Sequence, residues 1–515
     1  MKKFNSFIYT LILFSVISCK KDIIEQTEGI AALNPTTIDA NAGNWKTILL
    51  SSGADASLTI PAPLSITNPT YIAELNEIKG LQQNITKDQQ KEITYWAAGG
   101  VLRWNEIMRE LVAKYNLPPY QNEDGSYPIP QGANPFAYPL FPFSNPPYAA
   151  RAYAYIAAAQ YDALVVAWHY KKIYNRLAPY KNTTGINPMV IPTDLPSYPS
   201  EAAVLAGTTA EMMKLLFPTE IANIEQKAAN QQLSMLRAGA ATRSDMLAGE
   251  ALGRAVAQKF IARARVDKAG ASVGTPESWV QLETDCIARG EMPWKSLELP
   301  KRPPMLPGFG KVIPILMPAA DLIALRPGPP PLTGSALMAK ETQEVYDYVQ
   351  KQDRENIRIA HFWADGVGTY TPPGHWNAIA ADGFIAQNLS EVKWSRNMAL
   401  LNLAMMDAAI SCWDTKYFYF NARPCQVKST IKTFTGVPNF PAYTSGHSTF
   451  SATASTVLGY LTPAKAADYT KMANEASLSR IVSGIHFRSD CDEGAKVGKK
   501  IGEYFIARGK TDGAQ

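Results

Sequence analysis

The chain repeats part of itself at a constant separation of 245 residues. The run RSD at 243–245 recurs at 488–490, and the run FIAR at 260–263 recurs at 505–508. Further identities keep the same offset, without gaps, over about a hundred residues, which is the signature of a duplicated structural unit. The chain is therefore expected to fold as two related halves.

Apolar residues recur at helical spacing, and alternating β-branched runs are scarce. The predicted fold class is all-α, with two related helical bundles and an active site in the C-terminal bundle. Gln89 to Tyr115 is predicted to form one helix, whereas Gly270 to Pro331, which is rich in proline, is predicted to have little regular structure. The predicted divisions are a signal peptide at 1–19, a tether and irregular lead-in at 20–88, the first bundle at 89–268, a proline-rich crossover at 269–337 and the second bundle at 338–515.

The composition excludes some classes of partner. Apolar residues make up 46% of the 515 residues, enough for a substantial core, and the formal net charge is only +5. The sequence has no basic run, zinc-ligand spacing or glycine-rich phosphate loop. Nucleic acid is therefore not expected as a partner.

The N-terminus has the features of an export signal. A basic start at 1–3 precedes an apolar stretch at 7–17, and Cys19 follows. This pattern resembles a bacterial lipoprotein signal, in which Cys19 would carry the lipid. We expect an exported protein that is lipid-anchored to a cell-envelope membrane, on its periplasmic or outer-membrane face. An ordinary signal peptide with an incidental cysteine is the alternative.

The other cysteines number four, and the expected compartment is oxidising, so disulfides are possible. Their spacing fits no metal motif and does not define a pairing, and buried thiols are the simpler interpretation. These residues are Cys286, Cys412, Cys425 and Cys491.

The two copies differ at positions that carry chemistry. The first copy lacks both arginines and both histidines that the second copy has at the corresponding positions. Shared residues are interpreted as scaffold and the unshared ones as candidate site residues. The pairs that differ are Arg423 and Ala178, His447 and Ala202, Arg480 and Met235, and His486 and Ala241.

Three short stretches of the second copy hold these residues. Lys416 and Arg423 are seven apart, so they lie on one helix face; alone, they could equally be a solvated basic face. Ser445-Gly446-His447 precedes a predicted helix, and a helix N-terminus favours anions; alone, it could be an ordinary helix cap.

The third stretch pairs a histidine with a carboxylate. His486 and Asp490 are four residues apart, so Asp490 can hold one ring N–H and leave the other nitrogen free. Ser479-Arg480 precedes them and adds a third cation. Alone, this stretch could be a surface ion pair. Together, three cations and two histidines suit a tetrahedral oxyanion.

The order KxxxxxxRP, SGH and SRxxxxxHxxxD resembles the signature of type 2 phosphatidic acid phosphatases and vanadium-dependent haloperoxidases. Thr444 departs from it, because the family usually has proline there. The resemblance implies that the oxyanion is held by Lys416, Arg423, Ser445, Gly446 and Arg480. It also implies that His486 is the vanadium ligand or the nucleophile, oriented by Asp490, and that His447 is the acid–base group.

The duplicated bundle and the absence of several membrane spans favour the haloperoxidase branch. That resemblance implies vanadate as cofactor, with peroxide and halide as substrates. Trp413 and Phe440 look like positions that flank the vanadate, and Asp365 is expected to brace Arg480. His375 is interpreted as structural.

Two alternatives stay open. One is an acid phosphatase of the same superfamily, which needs no cofactor, binds phosphate at the same site and hydrolyses phosphomonoesters through a phosphohistidine. The other is a lipid-anchored binding protein without activity.

Overall fold

The computed structural model describes residues 29–117, 122–123, 145–298 and 301–514, and within them the regular structure is helical, without a strand. The first unit and its lead-in contain α1 (Pro69–Gln82), α2 (Lys87–Ala97), α3 (Gly100–Tyr115), α4 (Pro146–Tyr174), α5 (Pro179–Asn182), α6 (Glu201–Leu216), α7 (Ile221–Arg237) and α8 (Arg243–Arg265). The crossover contains α9 (Pro276–Ala288) and α10 (Ala319–Ala324). The second unit contains α11 (Ala336–Lys351), α12 (Arg354–Phe362), α13 (Thr371–Ile385), α14 (Glu391–Tyr419), α15 (Pro424–Val427), α16 (Gly446–Leu461), α17 (Ala466–Val482) and α18 (Arg488–Gly509). The predicted all-α fold class is confirmed.

The duplication extends to the ends of the helices. The helices α4, α5, α6 and α7 begin and end 245 residues before α14, α15, α16 and α17. Asn175 and Phe420, which follow α4 and α14, both adopt a left-handed conformation, with φ of 41° and 53°. Matching residues at the helix ends therefore give the two copies helices with the same boundaries.

The two units share one core. The long helices α4 and α14 are apolar around most of their circumference, and they pack against each other at the centre of the molecule. Their partners α6 with α8, and α16 with α18, form equivalent pairs on either side. Asn105 on α3 and Asn377 on α13 meet in a hydrogen bond of 2.8 Å between the two units. The halves are thus joined by packing and by a partly buried polar contact.

The predicted helix from Gln89 to Tyr115 is wrong as a single helix. It breaks at Gly99, which has a φ of +116°, into α2 and α3. The Glu391 carboxylate, from the start of α14, accepts hydrogen bonds from the Gly100 and Val101 amides (3.0 and 2.7 Å). An acceptor distant in sequence therefore caps the new helix start.

Two segments are more regular than predicted. The lead-in contains α1, which packs against α7 and α8 through the buried residues Tyr71, Leu75 and Ile78. The crossover, predicted to have little regular structure, contains α9 and α10. Both begin next to proline, as Pro276 at the start of α9 and Pro318 before α10. Proline is compatible with the first helical turn, where its missing N–H has no intrahelical partner to lose.

Some predictions concern the N-terminus and the cysteines. The signal peptide at 1–19 and the lipidated Cys19 lie outside the described residues and stay predictions. Cys286, Cys412, Cys425 and Cys491 are free thiols, and all but Cys425 are buried. None of the helices in the described part of the chain is long and apolar enough to cross a membrane.

Candidate active site

The ends of the second unit's helices bring the predicted site residues together. Lys416 lies in the last turn of α14, and Arg480 lies in the last turn of α17. The remaining residues lie where the next helices begin: Arg423 before α15, Ser445 and Gly446 at the start of α16, His486 just before α18, and Asp490 in the first turn of α18.

The three cations are buried without an ion pair. Lys416 and Arg423 are fully buried and Arg480 is 2% exposed. No carboxylate of the described residues lies within 4 Å of any of them. Burial lowers the pKa of Lys416 to about 8, and it lowers the pKa values of Arg423 and Arg480 to about 10. Buried charge of one sign is costly unless an opposite charge accompanies it, so the site favours an anion.

Backbone carbonyl groups hold Lys416 in place. Its Nζ donates hydrogen bonds to the carbonyl oxygens of Pro441 (2.8 Å), Ala442 (2.9 Å) and Thr444 (2.5 Å). These carbonyls belong to the loop that leads into α16. The ammonium group is therefore fixed beside the start of α16, and Thr444, where the family usually has proline, contributes its carbonyl oxygen to this arrangement.

The two arginines are also anchored through carbonyl oxygens. Arg423 donates from Nε to the Phe440 oxygen (3.0 Å) and from Nη1 to the Ile485 oxygen (2.8 Å). Arg480 donates from Nε to Ser479 Oγ (2.8 Å) and from Nη2 to the Ala360 oxygen (3.3 Å). Each guanidinium has five N–H donors, so both keep donors for a ligand.

His486 lies between a carboxylate and a cation. Its Nδ1 is 3.0 Å from Asp490 Oδ2, and its Nε2 is 3.3 Å from Arg423 Nη1. An arginine N–H can only donate, so Nε2 accepts and Nδ1 carries the proton. Burial, followed by the charges of Arg423, Lys416 and Arg480, keeps the pKa of His486 well below its usual value. The ring is neutral and turns a lone pair toward the cations.

Asp490 ties the histidine to the start of α16. Its Oδ2 also accepts the Phe487 amide (2.9 Å), and its own carbonyl oxygen accepts the Ser445 amide (2.8 Å). Burial raises the pKa of the carboxyl group, opposed by the charges of Lys416 and Arg423. Asp490 therefore fixes both the tautomer of His486 and its position relative to the helix N-terminus.

The N-terminus of α16 is buried but not tightly packed at Gly446. Ser445 caps the helix, accepting the Ser448 amide at 3.4 Å. A methyl group added at Gly446 would come no closer than 3.9 Å to Phe450 or Trp413. The glycine is thus not required by crowding within the protein, and its missing side chain leaves room at an anion-favouring helix end.

The structure corrects the prediction for Asp365. No salt bridge joins it to Arg480. Its Oδ1 instead lies 3.0 Å from His375 Nδ1, and its Oδ2 lies 3.6 Å from His447 Nε2. Burial would raise the pKa of Asp365, but the hydrogen bond and charge of His375, and then the nearby His447, lower it. The charge of Asp365 still acts on Arg480 at longer range, raising its pKa.

His447 therefore belongs to a chain of three side chains that ends at His375. Burial and the charge of Arg480 lower the pKa of His447 to about 4, although Asp365 opposes this. Its Nε2 has no hydrogen-bond partner among the described residues. The His375 ring stacks on Trp363 at a centroid distance of 4.6 Å. Sequence reasoning treated His375 as structural, and only its nearness to Pro372, Pro373 and Gly374 suggested a place in the site.

The predicted aromatic residues form one wall of the site. The rings of Trp413 and Phe440 are 5.1 Å apart, and Lys416 Nζ lies 5.0 Å from the Phe440 ring centre. Arg423 is 5.1 Å from the same ring. The Phe440 ring attracts both cations but does not neutralise their positive charge.

The donor set determines the kind of ligand. Among the described residues, no group of three or more His, Cys, Asp or Glu side chains is placed to hold a metal cation. The site instead combines three cations, a helix N-terminus and one neutral imidazole nitrogen. This arrangement defines an all-α protein with a buried candidate site for an oxyanion, and vanadate and phosphate both fit its charge and donors.

The comparisons with known proteins agree with this class. Residues 397–502, which contain every predicted residue of the oxyanion shell and both histidines predicted for the active site, match the family model of the PAP2 superfamily. The predicted resemblance to the superfamily of type 2 phosphatidic acid phosphatases and vanadium-dependent haloperoxidases is confirmed over this segment. No curated protein matches the chain in sequence.

Similar solved structures extend the likeness beyond this segment. A structure described as the first bacterial vanadium-dependent iodoperoxidase is 25% identical, with a TM-score of 0.55, over 70% of this chain and 91% of the other. A holo-type bacterial vanadium-dependent chloroperoxidase is 13% identical, with a TM-score of 0.50, over 71% of this chain and 92% of the other. The second likeness concerns the fold.

Proposed function

We propose that the protein is a vanadate-dependent haloperoxidase, which converts hydrogen peroxide, a halide and a proton into hypohalous acid and water. The observation that carries this proposal is the neutral His486, whose Nε2 lone pair points among three buried cations. The similarity to a bacterial iodoperoxidase over most of that protein's length supports the halide chemistry.

Lys416, Arg423, Arg480, Ser445 and the Gly446 amide would hold the vanadate oxygens, and His486 Nε2 would bind the vanadium. Bound vanadate supplies an electrophilic centre at which peroxide is activated for oxygen transfer to the halide. No carboxylate of the described residues lies close enough to neutralise the three cations. Their positive charge would therefore withdraw electron density from the bound oxyanion.

His447 would manage the protons. Because its ring is neutral in the free site, it can accept a proton from an incoming peroxide and return it to the departing oxygen. Asp365 stabilises the protonated ring through charge, and His375 holds Asp365 in position through a hydrogen bond of 3.0 Å. The three residues therefore act as one acid–base unit.

The competing function is phosphomonoester hydrolysis. The PAP2 superfamily match favours it, and the same His486 Nε2 could attack phosphorus while His447 protonates the leaving group. The two functions make opposite use of vanadate, because vanadate activates a haloperoxidase and inhibits a phosphatase by occupying its phosphate site.

Parallel assays of the vanadate-free protein distinguish them. We expect peroxide-dependent oxidation of iodide or bromide to appear only after orthovanadate is added, and inorganic phosphate to compete with this activation. Hydrolysis of p-nitrophenyl phosphate that vanadate suppresses, without halide oxidation under any condition, would establish the phosphatase instead.

A further inference from the structure

The first unit has a cavity of about 160 Å³ where the second unit has its oxyanion site. Its lining includes Lys171, Ala178, Met235 and Ala241. These are the counterparts of Lys416, Arg423, Arg480 and His486 at the offset of 245. The uncharged side chains of Ala178, Met235 and Ala241 thus leave a space here rather than a filled core.

The charge of this cavity differs from that of the oxyanion site. It has no arginine in its lining, and Glu201 occupies the position that Gly446 has in the second unit. Glu201 is 9% exposed, and its Oε1 has no hydrogen-bond partner among the described residues. A buried carboxylate oxygen without a partner is costly, so it points to a missing donor.

No neighbouring group of the described residues makes a hydrogen bond to Glu201 Oε1, although the Trp168 indole N–H, itself without a partner, and the Lys171 ammonium group are near enough to lower the pKa of Glu201. Lys171 Nζ donates to the Pro196 carbonyl oxygen, and it forms no ion pair within 4 Å of Glu201. The Glu391 carboxylate also lines the cavity, but it is already held by the Gly100 and Val101 amides. Two carboxyl groups and one ammonium group line the cavity. Burial raises the pKa values of both carboxyl groups, that of Glu391 to about 7, so a bound cation would favour their ionised forms.

The remaining walls are apolar and aromatic. Trp96 and Trp168 line the cavity together with aliphatic side chains such as Ile38 and Leu195. A cavity of this size can hold a molecule about as large as benzene, and indole rings attract cations. We propose that the cavity binds a small organic ammonium ion whose apolar body is about the size of benzene. The ammonium group donates to Glu201, and the body packs against the indole rings.

Another arrangement would use the same residues. Glu201 could act as a built-in anion at the start of α6, taking the place of the oxyanion that α16 receives in the second unit. The cavity would then be a remnant of the duplication and would bind nothing. Ligand binding distinguishes the two possibilities, because a Glu201 carboxylate that already stabilises the start of α6 would not bind an added ammonium ion.

Isothermal titration calorimetry of the full protein with benzylammonium tests the proposal, with benzyl alcohol and benzoate as neutral and anionic probes of similar shape. We expect benzylammonium to bind at one site and benzoate not to bind. The Glu201→Gln variant keeps the shape of the side chain but removes its charge, so benzylammonium should bind about tenfold more weakly or worse.

Two further variants keep the test decisive. Ala178→Leu places a larger side chain where the second unit accommodates Arg423, so it should fold and abolish benzylammonium binding. Glu493→Gln, on α18 and outside the cavity, should leave binding unchanged. Absence of benzylammonium binding to the wild-type protein, tighter binding of benzoate, or an unaltered affinity in Glu201→Gln would overturn the proposal. None of these measurements depends on ligand binding or activity at the oxyanion site of the second unit.

Discussion

His486 is fixed at both ring nitrogens, and its neighbours determine its chemistry. Asp490 holds Nδ1–H, while Arg423 can only donate a hydrogen bond to Nε2, which is therefore unprotonated. Nε2 is therefore available as a ligand or nucleophile at neutral pH. This is the residue on which both candidate functions depend.

We expect His486→Ala to lose vanadate binding and halide oxidation, because the only nitrogen ligand of the proposed site is removed. Equilibrium dialysis against orthovanadate and the peroxide assay measure the two effects. His169→Ala is the matched control, since His169 lies on α4 of the first unit, away from the site, and should retain both properties. A His486→Ala protein that still binds vanadate and oxidises halide would contradict this role.

The partly buried His447, whose side chain is 15% exposed, makes stability depend on pH. Its pKa is about 4 in the folded protein, compared with an ordinary 6.5. Between these values the unfolded chain binds the proton more readily, so stability falls as the pH falls. For the oxyanion-free protein, we expect the free energy of unfolding to drop about 3 kcal/mol more between pH 7 and pH 4 than in His447→Gln.

Denaturant unfolding at several pH values measures this difference. A bound oxyanion should reduce it, because its negative charge favours the protonated imidazole. Identical pH dependence in the wild-type protein and His447→Gln would show that His447 is not held neutral by its surroundings.

At the scale of elements, α6 and α16 offer a matched pair of helix starts. Ser200 and Ser445 accept the amide three residues later at the same distance of 3.4 Å. Replacing either by alanine should cost about 1 kcal/mol of stability. Of these two helix starts, only that of α16 lies at the site that holds Arg423 and Arg480. Only Ser445→Ala should therefore also weaken vanadate binding.

The rise in melting temperature that vanadate produces measures the second effect, and denaturant unfolding measures the first. We expect Ser200→Ala to keep the full vanadate-dependent rise in melting temperature, although its starting value is lower. Equal losses of that rise in the two variants would mean that the helix cap acts on vanadate only through general stability.

Much of this organisation can be predicted from the sequence, because the helix signals are local. Periodicity and terminal residues place α4, α6 and α7 and their copies, and the difference between Arg423 and Ala178 marks the site. Contacts between distant segments leave no such signal. The Asp365 interaction with His375 and His447 depends on the packing of α13 against α16, and the break at Gly99 depends on the distant Glu391.

At the scale of the molecule, the packing of α4 against α14 joins the two units into one core. We expect a single cooperative unfolding transition, with a calorimetric enthalpy close to the van't Hoff enthalpy. Vanadate bound to the second unit should move the whole transition to higher temperature. Two separate transitions in differential scanning calorimetry, only one of which responds to vanadate, would show that the halves are independent.

The most direct test of the proposed function is a titration of the vanadate-free protein with orthovanadate, followed by the initial rate of peroxide-dependent iodide oxidation. We predict a rate that starts at background and rises to a plateau at one vanadate per chain, because the second unit alone has the complete oxyanion shell. A rate that is independent of vanadate, or that never exceeds that of free vanadate in buffer, would contradict it.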